Sequence, residues 1–219
     1  THDINVTIVD VDEAPVFTNS TQITIDENET TVTQIVATDD DGDAITYSLY
    51  GSDSQYFTID ENTGDLSLLS AADYESKSSY ISLIVIADSV TNSTNLDLDV
   101  FINDINEAPT FTSSSTFNVD ENETSIGTVV ANDPDGDSLT YYIYGGADQS
   151  LITINSSSGV LNFASAANYE DKSEYVIDVT VSDGSVSLTE TVTISINDIN
   201  EAPSITSSAS FTMSENSLS

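Results

Sequence analysis

Short stretches in which apolar and polar residues alternate occur along the whole chain. The segments "LDLDVFIND" and "LTETVTISIND" alternate strictly, and "YISLIVIAD" and "YVIDVTVSD" combine apolar runs with β-branched residues. A period of two residues places one face of a strand in a core and the other in solvent, and β-branched residues favour strands. No stretch keeps the 3.6-residue period of a helix. The pattern therefore predicts an all-β protein.

The same succession of strand segments occurs twice. "TIDENETTVTQIVATDDDGDAITYSLYG", from Thr24, matches "NVDENETSIGTVVANDPDGDSLTYYIYG", from Asn118, and "FINDINEAPTFTSSSTF" matches "SINDINEAPSITSSASF". The period is about 94 residues with about seven strand segments in each copy, which is typical of a sandwich domain and too long for a solenoid unit. The sequence predicts two tandem seven-stranded Greek-key sandwiches of immunoglobulin-like type, arranged in a linear array.

The repeat also sets the expected domain boundaries. Two complete copies cover residues 15–107 and 108–201. Residues 1–14 match the last strand and linker of a preceding repeat, and residues 202–219 match the first strand of a following one. We therefore expect the chain to be part of a longer array.

The charge balance excludes several kinds of partner. The chain has 38 Asp and Glu residues but only 2 Lys and Arg residues, for a formal net charge of -36. Nucleic acid is not expected as a partner, because phosphate binding needs clustered Lys and Arg, and an anionic membrane surface would repel the chain. No apolar run is long enough for direct membrane insertion. The 38% content of hydrophobic residues argues against a disordered acidic chain.

Acidic residues gather in four motifs of each repeat: "DEN", "DDDGD" or "DPDGD", "DYE" or "NYE", and "NDINEAP". Connections that are distant in sequence meet at the poles of a sandwich, so these motifs can converge. Converging carboxylates disfavour one another's ionisation, and Ca²⁺, which takes six to eight oxygen ligands, removes that repulsion. A single "DxDG" can be an ordinary surface turn, but the repetition of all four motifs favours calcium.

Within "DPDGD" the residues take different expected roles. Asp133 and Asp135 are candidate ligands, and Gly136 is expected to make the tight turn after them. Asp137, like Asp43 in the first repeat, either offers a backbone carbonyl or only shapes the turn.

The ordered set "DEN", "DxDGD…LTY", "F.ID..TG.L", "DYE" and "DINEAP" resembles the cadherin repeat over essentially the whole chain. It is most similar to the cadherin-like repeats of large prokaryotic surface adhesins. In cadherins, calcium ions lie at each boundary between consecutive repeats and are bound by both neighbours and the linker.

The resemblance implies a ligand set at each boundary. At the middle boundary it implies Glu27, Asp73, Glu75, Asp104, Asn106, Glu107, Asp133, Asp135 and Asp183. At the upstream boundary it implies Asp10, Asp12, Glu13, Asp39, Asp41 and Asp88. At the downstream boundary it implies Glu121, Glu170, Asp198, Asn200 and Glu201.

The chain departs from the cadherin pattern in two places. The usual linker is D-x-N-D-N-x-P, whereas "DINEAP" is one residue shorter and has Glu107 in place of an Asp. The number of ions per boundary, two or three, therefore stays open. Asn168 replaces the Asp of "DYE", which weakens the downstream site.

The resemblance implies a calcium-dependent, calcium-rigidified segment of a long extracellular or cell-surface adhesin or spacer. Its expected partners are calcium ions, the neighbouring repeats, and other copies of the chain or surface polysaccharide. Two alternatives stay open, a carbohydrate-binding module that uses Tyr142 and Tyr144, and a filament-forming structural subunit.

Enzymatic activity is not expected. The only histidine is His2 and there is no cysteine, so Ser–His and Cys–His catalysis lack their base. Paired carboxylates could serve a glycosidase, but here they occur again in each repeat, whereas an active site normally occurs once.

Overall fold

The computed structural model describes residues 2–9, 11–89 and 91–203 and contains strands but no α-helix among them. Contacts divide the chain into two units, Thr1–Asn106 and Glu107–Ser219, so the boundary falls one residue before the predicted one. The predicted ligand Asp10 and nearly all of the predicted final strand, from residue 204 onwards, lie outside the described residues.

Each unit contains nine strands among its described residues. In unit 1 they are β1 (Val16–Phe17), β2 (Gln22–Asp26), β3 (Thr31–Gln34), β4 (Ala37–Thr38), β5 (Thr46–Tyr50), β6 (Phe57–Ile59), β7 (Asp65–Leu68), β8 (Ser79–Asp88) and β9 (Ser93–Asn103). In unit 2 they are β10 (Thr110–Phe111), β11 (Thr116–Asp120), β12 (Ser125–Thr128), β13 (Ala131–Asn132), β14 (Thr140–Gly145), β15 (Ile152–Ile154), β16 (Val160–Phe163), β17 (Glu174–Ser182) and β18 (Ser187–Asn197).

The two units share one topology. In unit 1 a four-stranded sheet has the order β2-β9-β8-β5, a three-stranded sheet has the order β3-β7-β6, and β1 pairs with β4. Unit 2 repeats this arrangement as β11-β18-β17-β14, β12-β16-β15 and β10-β13. The chain changes sheet between β2 and β3, between β5 and β6 and between β7 and β8, which confirms the prediction of two tandem all-β sandwiches.

The predicted strands are more finely divided than expected. The single predicted strand "IGTVVAND" forms β12 and β13, which belong to different sheets, and β10 precedes the predicted first strand β11. Seven predicted strands thus become nine, because the chain leaves the three-stranded sheet after β12 and the short strands β10 and β13 form a separate two-stranded sheet. Alternation of side chains cannot reveal such a switch, since both sheets face the same core.

Each unit has its own core, formed by the alternating positions that the sequence marks. In β18, for example, Val192, Ile194 and Ile196 are buried between exposed or half-buried neighbours. Burying one such side chain stabilises the fold by roughly 1.5–3 kcal/mol. Tyr141 is also buried, and its hydroxyl oxygen accepts a hydrogen bond from the Ala131 amide at 3.0 Å. The inner face of "TYYIY" therefore belongs to the core.

The segment 2–9 shows that alternation alone does not make a strand. Ile4, Val6 and Ile8 alternate as β9 does, yet they are 85%, 81% and 91% exposed and the segment is assigned to no strand. Val100 of β9, which aligns with Val6 in the repeat, is fully buried. A strand pattern needs a sheet to join, so the predicted relation of this segment to a preceding repeat stays a prediction.

A β-bulge between β8 and β9 of unit 1 has no counterpart between β17 and β18 of unit 2. In unit 1 the register of β8 on β9 shifts between Tyr80 and Leu83, whereas in unit 2 β17 pairs with β18 without interruption. As a result Asp88 pairs with Ser93 at the end of β8, and the corresponding position in β17 is Ser182. The sequence predicts Asp88 and Asp183 to be equivalent, because each closes the sixth strand segment of its repeat. This prediction is wrong, because the bulge moves the frame by one residue and Asp88 corresponds to Ser182.

The chain contains two lysines and no arginine, and each lysine pairs with a buried aspartate. Lys77 Nζ lies 2.7 Å from Asp53 Oδ1, and Asp53 Oδ2 accepts hydrogen bonds from the bulge amides of Ile81 and Ser82. Burial alone would raise the pKa of Asp53. The bonds from Lys77 and from the amides outweigh burial and hold that pKa below its usual value.

Unit 2 repeats the pair at the corresponding positions. Lys172 Nζ lies 2.5 Å from Asp148 Oδ1, and Asp148 Oδ2 accepts a hydrogen bond from the Val176 amide at 2.9 Å. Burial opposes ionisation of Asp148, but the hydrogen bond from Lys172 and that from Val176 hold its pKa below the usual value. The pair thus ties the loop before β15 to the first residues of β17.

We expect Asp148→Asn to lower the free energy of unfolding by roughly 1–3 kcal/mol at neutral pH, because a buried acceptor that bonds a charged group is lost. The folded pKa of Asp148 lies below its ordinary value of 3.8, so its contribution is complete above pH 3.8 and is lost as the pH falls further. The difference between wild type and variant should therefore shrink below that pH. Urea unfolding in the presence of a chelator measures it.

The matched control is Asp171→Asn, which removes one charge from an exposed position of the same unit. Equal urea midpoints for the two variants at neutral pH would contradict a stabilising role of the Lys172–Asp148 pair.

Candidate metal centres

Glu27 is a buried carboxylate at the end of the sandwich where the linker leaves unit 1. It follows β2 directly and is only 3% exposed. Its Oε1 accepts a hydrogen bond from the Ile105 amide at 2.7 Å, and its Oε2 accepts one from the Tyr74 amide at 3.1 Å. One side chain therefore joins the first long strand to the linker and to the "DYE" segment.

Glu121 has the same position and bonds in unit 2. It is 3% exposed, and its two oxygens accept hydrogen bonds from the amides of Ile199 at 2.8 Å and Tyr169 at 3.1 Å. These two amides hold the pKa of Glu121 below its usual value. The carboxylate thus stays charged at neutral pH.

Strand direction explains why acids from three motifs meet at this end. β2 and β9 run parallel in register, with Asp26 beside Asn103, so the residues that follow them leave the sheet at the same end. β8 is antiparallel to β9, so the "DYE" segment that precedes β8 lies at this end too. In each unit three carboxylates have oxygens within 4.8 Å of one another, and the two triads are Glu27, Glu75, Asp104 and Glu121, Glu170, Asp198.

The "DPDGD" loop forms another acidic group in unit 2, with oxygens of Asp133, Asp135 and Asp137 within 4.8 Å of one another. Asp133 Oδ1 accepts a hydrogen bond from the Asp137 amide at 3.2 Å, and the Asp133 carbonyl accepts one from Gly136 at 3.2 Å. Gly136 has φ 78°, a left-handed conformation that glycine adopts without strain. The predicted role of Gly136 in the turn is thus confirmed.

The linker contacts this loop through backbone amides in both units. The Glu107 amide donates to Asp135 Oδ2 at 2.7 Å, and the Glu13 amide donates to Asp41 Oδ2 at 2.9 Å. In unit 1 the Asn92 side chain also donates to Asp12 Oδ2 at 2.8 Å. A linker amide therefore holds the aspartate at the third position of the loop, Asp41 or Asp135, in a fixed orientation in each unit.

Mutual repulsion remains in the loop of unit 1. The pKa of Asp43 is raised by desolvation and by the negative charges of Asp39, Asp12 and Asp41. A cation near these carboxylates would reverse that shift.

Three carboxylate oxygens carry the test of whether these groups suit a cation. Asp39 Oδ2, Asp133 Oδ2 and Asp135 Oδ1 are buried and have no hydrogen-bond partner among the described residues. A buried charged oxygen without a partner is costly. Carboxylate oxygens in such clusters are the donor set of hard divalent cations, so the residues fit a calcium ion.

Several predicted ligands belong to none of the three acidic groups. Asp73 uses both oxygens on Ser76, at 2.9 Å from its amide and 2.9 Å from its hydroxyl. Asp183 Oδ1 accepts hydrogen bonds from the amides of Ser185 and Val186, both at 2.6 Å, and so shapes a turn.

The remaining predicted residues are also outside these groups, and their ligand roles stay predictions. They are Asp12, Glu13, Asp39, Asp41, Asp88, Asn106, Glu107, Asn200 and Glu201. Among them Glu201 Oε1 accepts a hydrogen bond from the Asn122 side chain at 3.3 Å.

The sequence leaves the role of Asp137 undecided, and the structure places its carboxylate in the acidic group with Asp133 and Asp135. The signal was present as acids at every second position, Asp133, Asp135 and Asp137, matched by Asp39, Asp41 and Asp43 in the first repeat. The sequence does not show whether an aspartate would bind an ion through its backbone carbonyl or through its carboxylate, because the conformation of the turn decides which way the side chain faces.

Comparison with known proteins agrees with this architecture. Residues 21–102 match the Cadherin domain family, and residues 106–197 match the Bacterial Ig domain family. The solved structure of human protocadherin-24 EC1-2 superposes on this chain with a TM-score of 0.61 at 22% identity, over 85% of this chain and 99% of that one. The chain is thus a tandem of two β-sandwich domains with a cadherin-like fold.

Curated relatives of these cadherin-like domains are much longer proteins. Mouse protocadherin Fat 4 is 29% identical over 97% of this chain, and the rat cadherin EGF LAG seven-pass G-type receptor 2 is 32% identical over 85%. The chain spans 5% of the first and 10% of the second. Mouse cadherin-23 domains EC22-24 superpose with a TM-score of 0.55 at 26% identity, over 85% of this chain and 65% of that one.

We expect Glu121→Gln to destabilise unit 2 even without calcium, by roughly 1–3 kcal/mol, because the amide nitrogen of glutamine cannot accept a backbone hydrogen bond. The folded pKa of Glu121 is below its ordinary value of 4.5, so the wild-type contribution is complete above pH 4.5 and is lost as the pH falls further. Urea unfolding in chelator, at neutral and acidic pH, measures both effects.

The matched control is Glu123→Gln, two residues away and exposed. If both variants unfolded at the same urea concentration in chelator at neutral pH, Glu121 would not hold the linker and the "NYE" segment in the absence of an ion.

Proposed function

We propose that this chain is a calcium-binding, non-catalytic segment of an extracellular or cell-surface adhesion protein, in which calcium stiffens the joint between repeats. One observation carries the proposal: the same carboxylate triad, Glu27, Glu75 and Asp104 in unit 1, occurs at the linker end of unit 2 as well. Equal clusters at equal places in two domains are expected of a repeated ion site and not of a single active site.

Calcium is the ion whose chemistry suits these groups best. It accepts six to eight oxygen ligands in irregular geometry, whereas Mg²⁺ demands an octahedron and gives up its water reluctantly. Extracellular calcium modules bind in the range of about 10⁻⁴–10⁻³ M. Occupancy then requires a calcium-rich medium, which supports a location outside the cell.

The division of the candidate ligands along the chain supports the proposed joint. Unit 1 ends in the triad and the linker, and unit 2 begins with Glu107 and the loop that holds Asp133 and Asp135. Carboxylates on both sides of a linker repel one another without a cation, and a shared cation turns this repulsion into attraction. We propose two or three ions per boundary.

The similarity to cadherins and to bacterial Ig domains supports adhesion as the wider role. We propose that the chain belongs to a large prokaryotic surface adhesin, for which the bacterial Ig match of residues 106–197 is the support. Its partners would be neighbouring repeats and other copies of itself or surface polysaccharide. No helix among the described residues is long and apolar enough to span a membrane.

We expect Ca²⁺ to lengthen the chain in solution and to narrow its range of shapes, because the ions stiffen the joint. Small-angle scattering should show the largest maximum dimension in millimolar Ca²⁺, a smaller effect of Mg²⁺, and the smallest effect of NaCl at equal ionic strength, since NaCl only screens charge. Asp104→Asn should reduce the calcium effect, whereas Asp97→Asn, on the exposed face of β9, should not.

Scattering profiles that are the same in Ca²⁺, NaCl and chelator would contradict the proposal that calcium stiffens the joint. Growth of the particle with protein concentration would instead indicate assembly of copies, as the filament alternative expects.

Carbohydrate binding is a second candidate function, favoured by one observation. Tyr142 and Tyr144 on the outer face of β14 are 40% and 73% exposed, and exposed aromatic rings are common in sugar sites. We expect retention on immobilised polysaccharide to fall when both tyrosines are replaced by alanine, if the chain binds sugar through them. Equal retention of wild type and variant would exclude this face.

A further inference from the structure

We propose that Asp137 is a third carboxylate ligand and that the "DPDGD" loop is thereby a calcium site built by one repeat from its own residues. Asp43 takes the same role in unit 1. The inference rests on the proposed calcium-binding function but goes further, because the boundary scheme implied by the cadherin resemblance uses only Asp133 and Asp135 from this loop.

The geometry of the loop brings three carboxylates together. Asp133, Asp135 and Asp137 stand at every second position, and a tight turn at Gly136 folds the chain back between them. Each offers an oxygen, and the three oxygens lie within 4.8 Å of one another. Two ligands of one ion are separated by such distances when each bonds the ion at about 2.3–2.6 Å.

The burial of Asp133 is the second observation, and it points to an ion. Asp133 is 6% exposed, and its Oδ2 is buried with no hydrogen-bond partner among the described residues. Its Oδ1 is already used by the Asp137 amide. A buried carboxylate oxygen next to two further carboxylates is strongly disfavoured unless a cation compensates it.

The loop of unit 1 has the same amide contact and the same unpartnered aspartate oxygen. Asp39 Oδ1 accepts hydrogen bonds from the amides of Asp41 and Asp43, at 3.0 and 3.2 Å, and Asp39 Oδ2 is buried without a partner among the described residues. The amide at the fifth loop position thus holds the first aspartate in both units. In unit 2 the residue that donates this amide, Asp137, also supplies the third carboxylate, so its amide and its side chain act on one site.

A third carboxylate has consequences for affinity and for the order of binding. The affinity of calcium loops rises with the number of charged ligands, so Asp137 should make this site tighter than Asp133 and Asp135 alone would. A site made by one repeat also fills without ligands from the preceding repeat. Calcium would therefore enter the loop first and complete the joint afterwards.

Calcium binding by the whole 219-residue chain tests this inference. Equilibrium dialysis with radioactive Ca²⁺ gives the number of ions, and titration calorimetry gives the affinity of each class of site. The variants are Asp137→Asn, Asp104→Asn, which removes a carboxylate of the unit 1 triad, and the control Asp171→Asn, which removes an exposed charge of unit 2. Urea unfolding in chelator verifies that the variants fold.

We expect Asp137→Asn to weaken one class of sites by about tenfold or more, so that the chain binds one ion fewer at a calcium concentration that fills the wild type. Asp104→Asn should leave that class unchanged. Asp43→Asn should have the same effect as Asp137→Asn on the corresponding site of unit 1, which provides a second reading should either variant fail to fold.

Equal binding by Asp137→Asn and Asp171→Asn, while the wild type binds calcium, would overturn the role of Asp137 and leave the proposed function standing. Loss of the loop class in Asp104→Asn would overturn the claim that one repeat builds the site alone. A wild type that binds no calcium at all would overturn both this inference and the proposed function.

Discussion

Electrostatic repulsion is the main constraint on this fold, because the chain has 38 acidic side chains and only two lysines. The fold compensates buried carboxylates in two ways that need no ion. Asp53 and Asp148 form ion pairs with the two lysines, and Glu27 and Glu121 each accept hydrogen bonds from the backbone amides of two segments. In the described part of the chain, the buried side-chain oxygens without a partner lie in the loops of Asp39 and Asp133. The proposed calcium sites therefore lie where the protein's own hydrogen-bond donors leave carboxylate oxygens unpaired.

The parallel pairing of β2 with β9, and of β11 with β18, gives the acidic end of each unit its form. It places the end of the first long strand beside the end of the last, so that a glutamate and the linker leave the sheet together. The hydrogen bonds that Glu27 and Glu121 accept from the amides of Ile105 and Ile199 hold these linker segments in place without an ion. Such preorganisation would lower the entropy lost if an ion binds at this end, as the proposed function requires.

The two units show which differences the arrangement tolerates. The bulge of β8 has no counterpart in β17, and a register shift in β14 lies between Ile143 and Gly145 instead. Residues 21–102 and 106–197 match different families, the Cadherin domain and the Bacterial Ig domain. The acidic triad is nevertheless the same in both units. Function is therefore better argued from the conserved geometry of the site than from the family of either domain.

Sequence alone determined the strand pattern, the period and the acidic motifs, because alternation and repetition are local properties that a chain carries in its order of residues. It identified Glu27, Glu75, Asp104 and their counterparts as a set through a family resemblance. Only the tertiary structure decided that Asp73 and Asp183 shape turns, that Asp88 and Asp183 are not equivalent, and that the Asp137 carboxylate joins the loop group. These outcomes depend on bulges, on turn direction and on which amide reaches which oxygen. Such features arise when distant segments pack, so no local pattern in the chain records them.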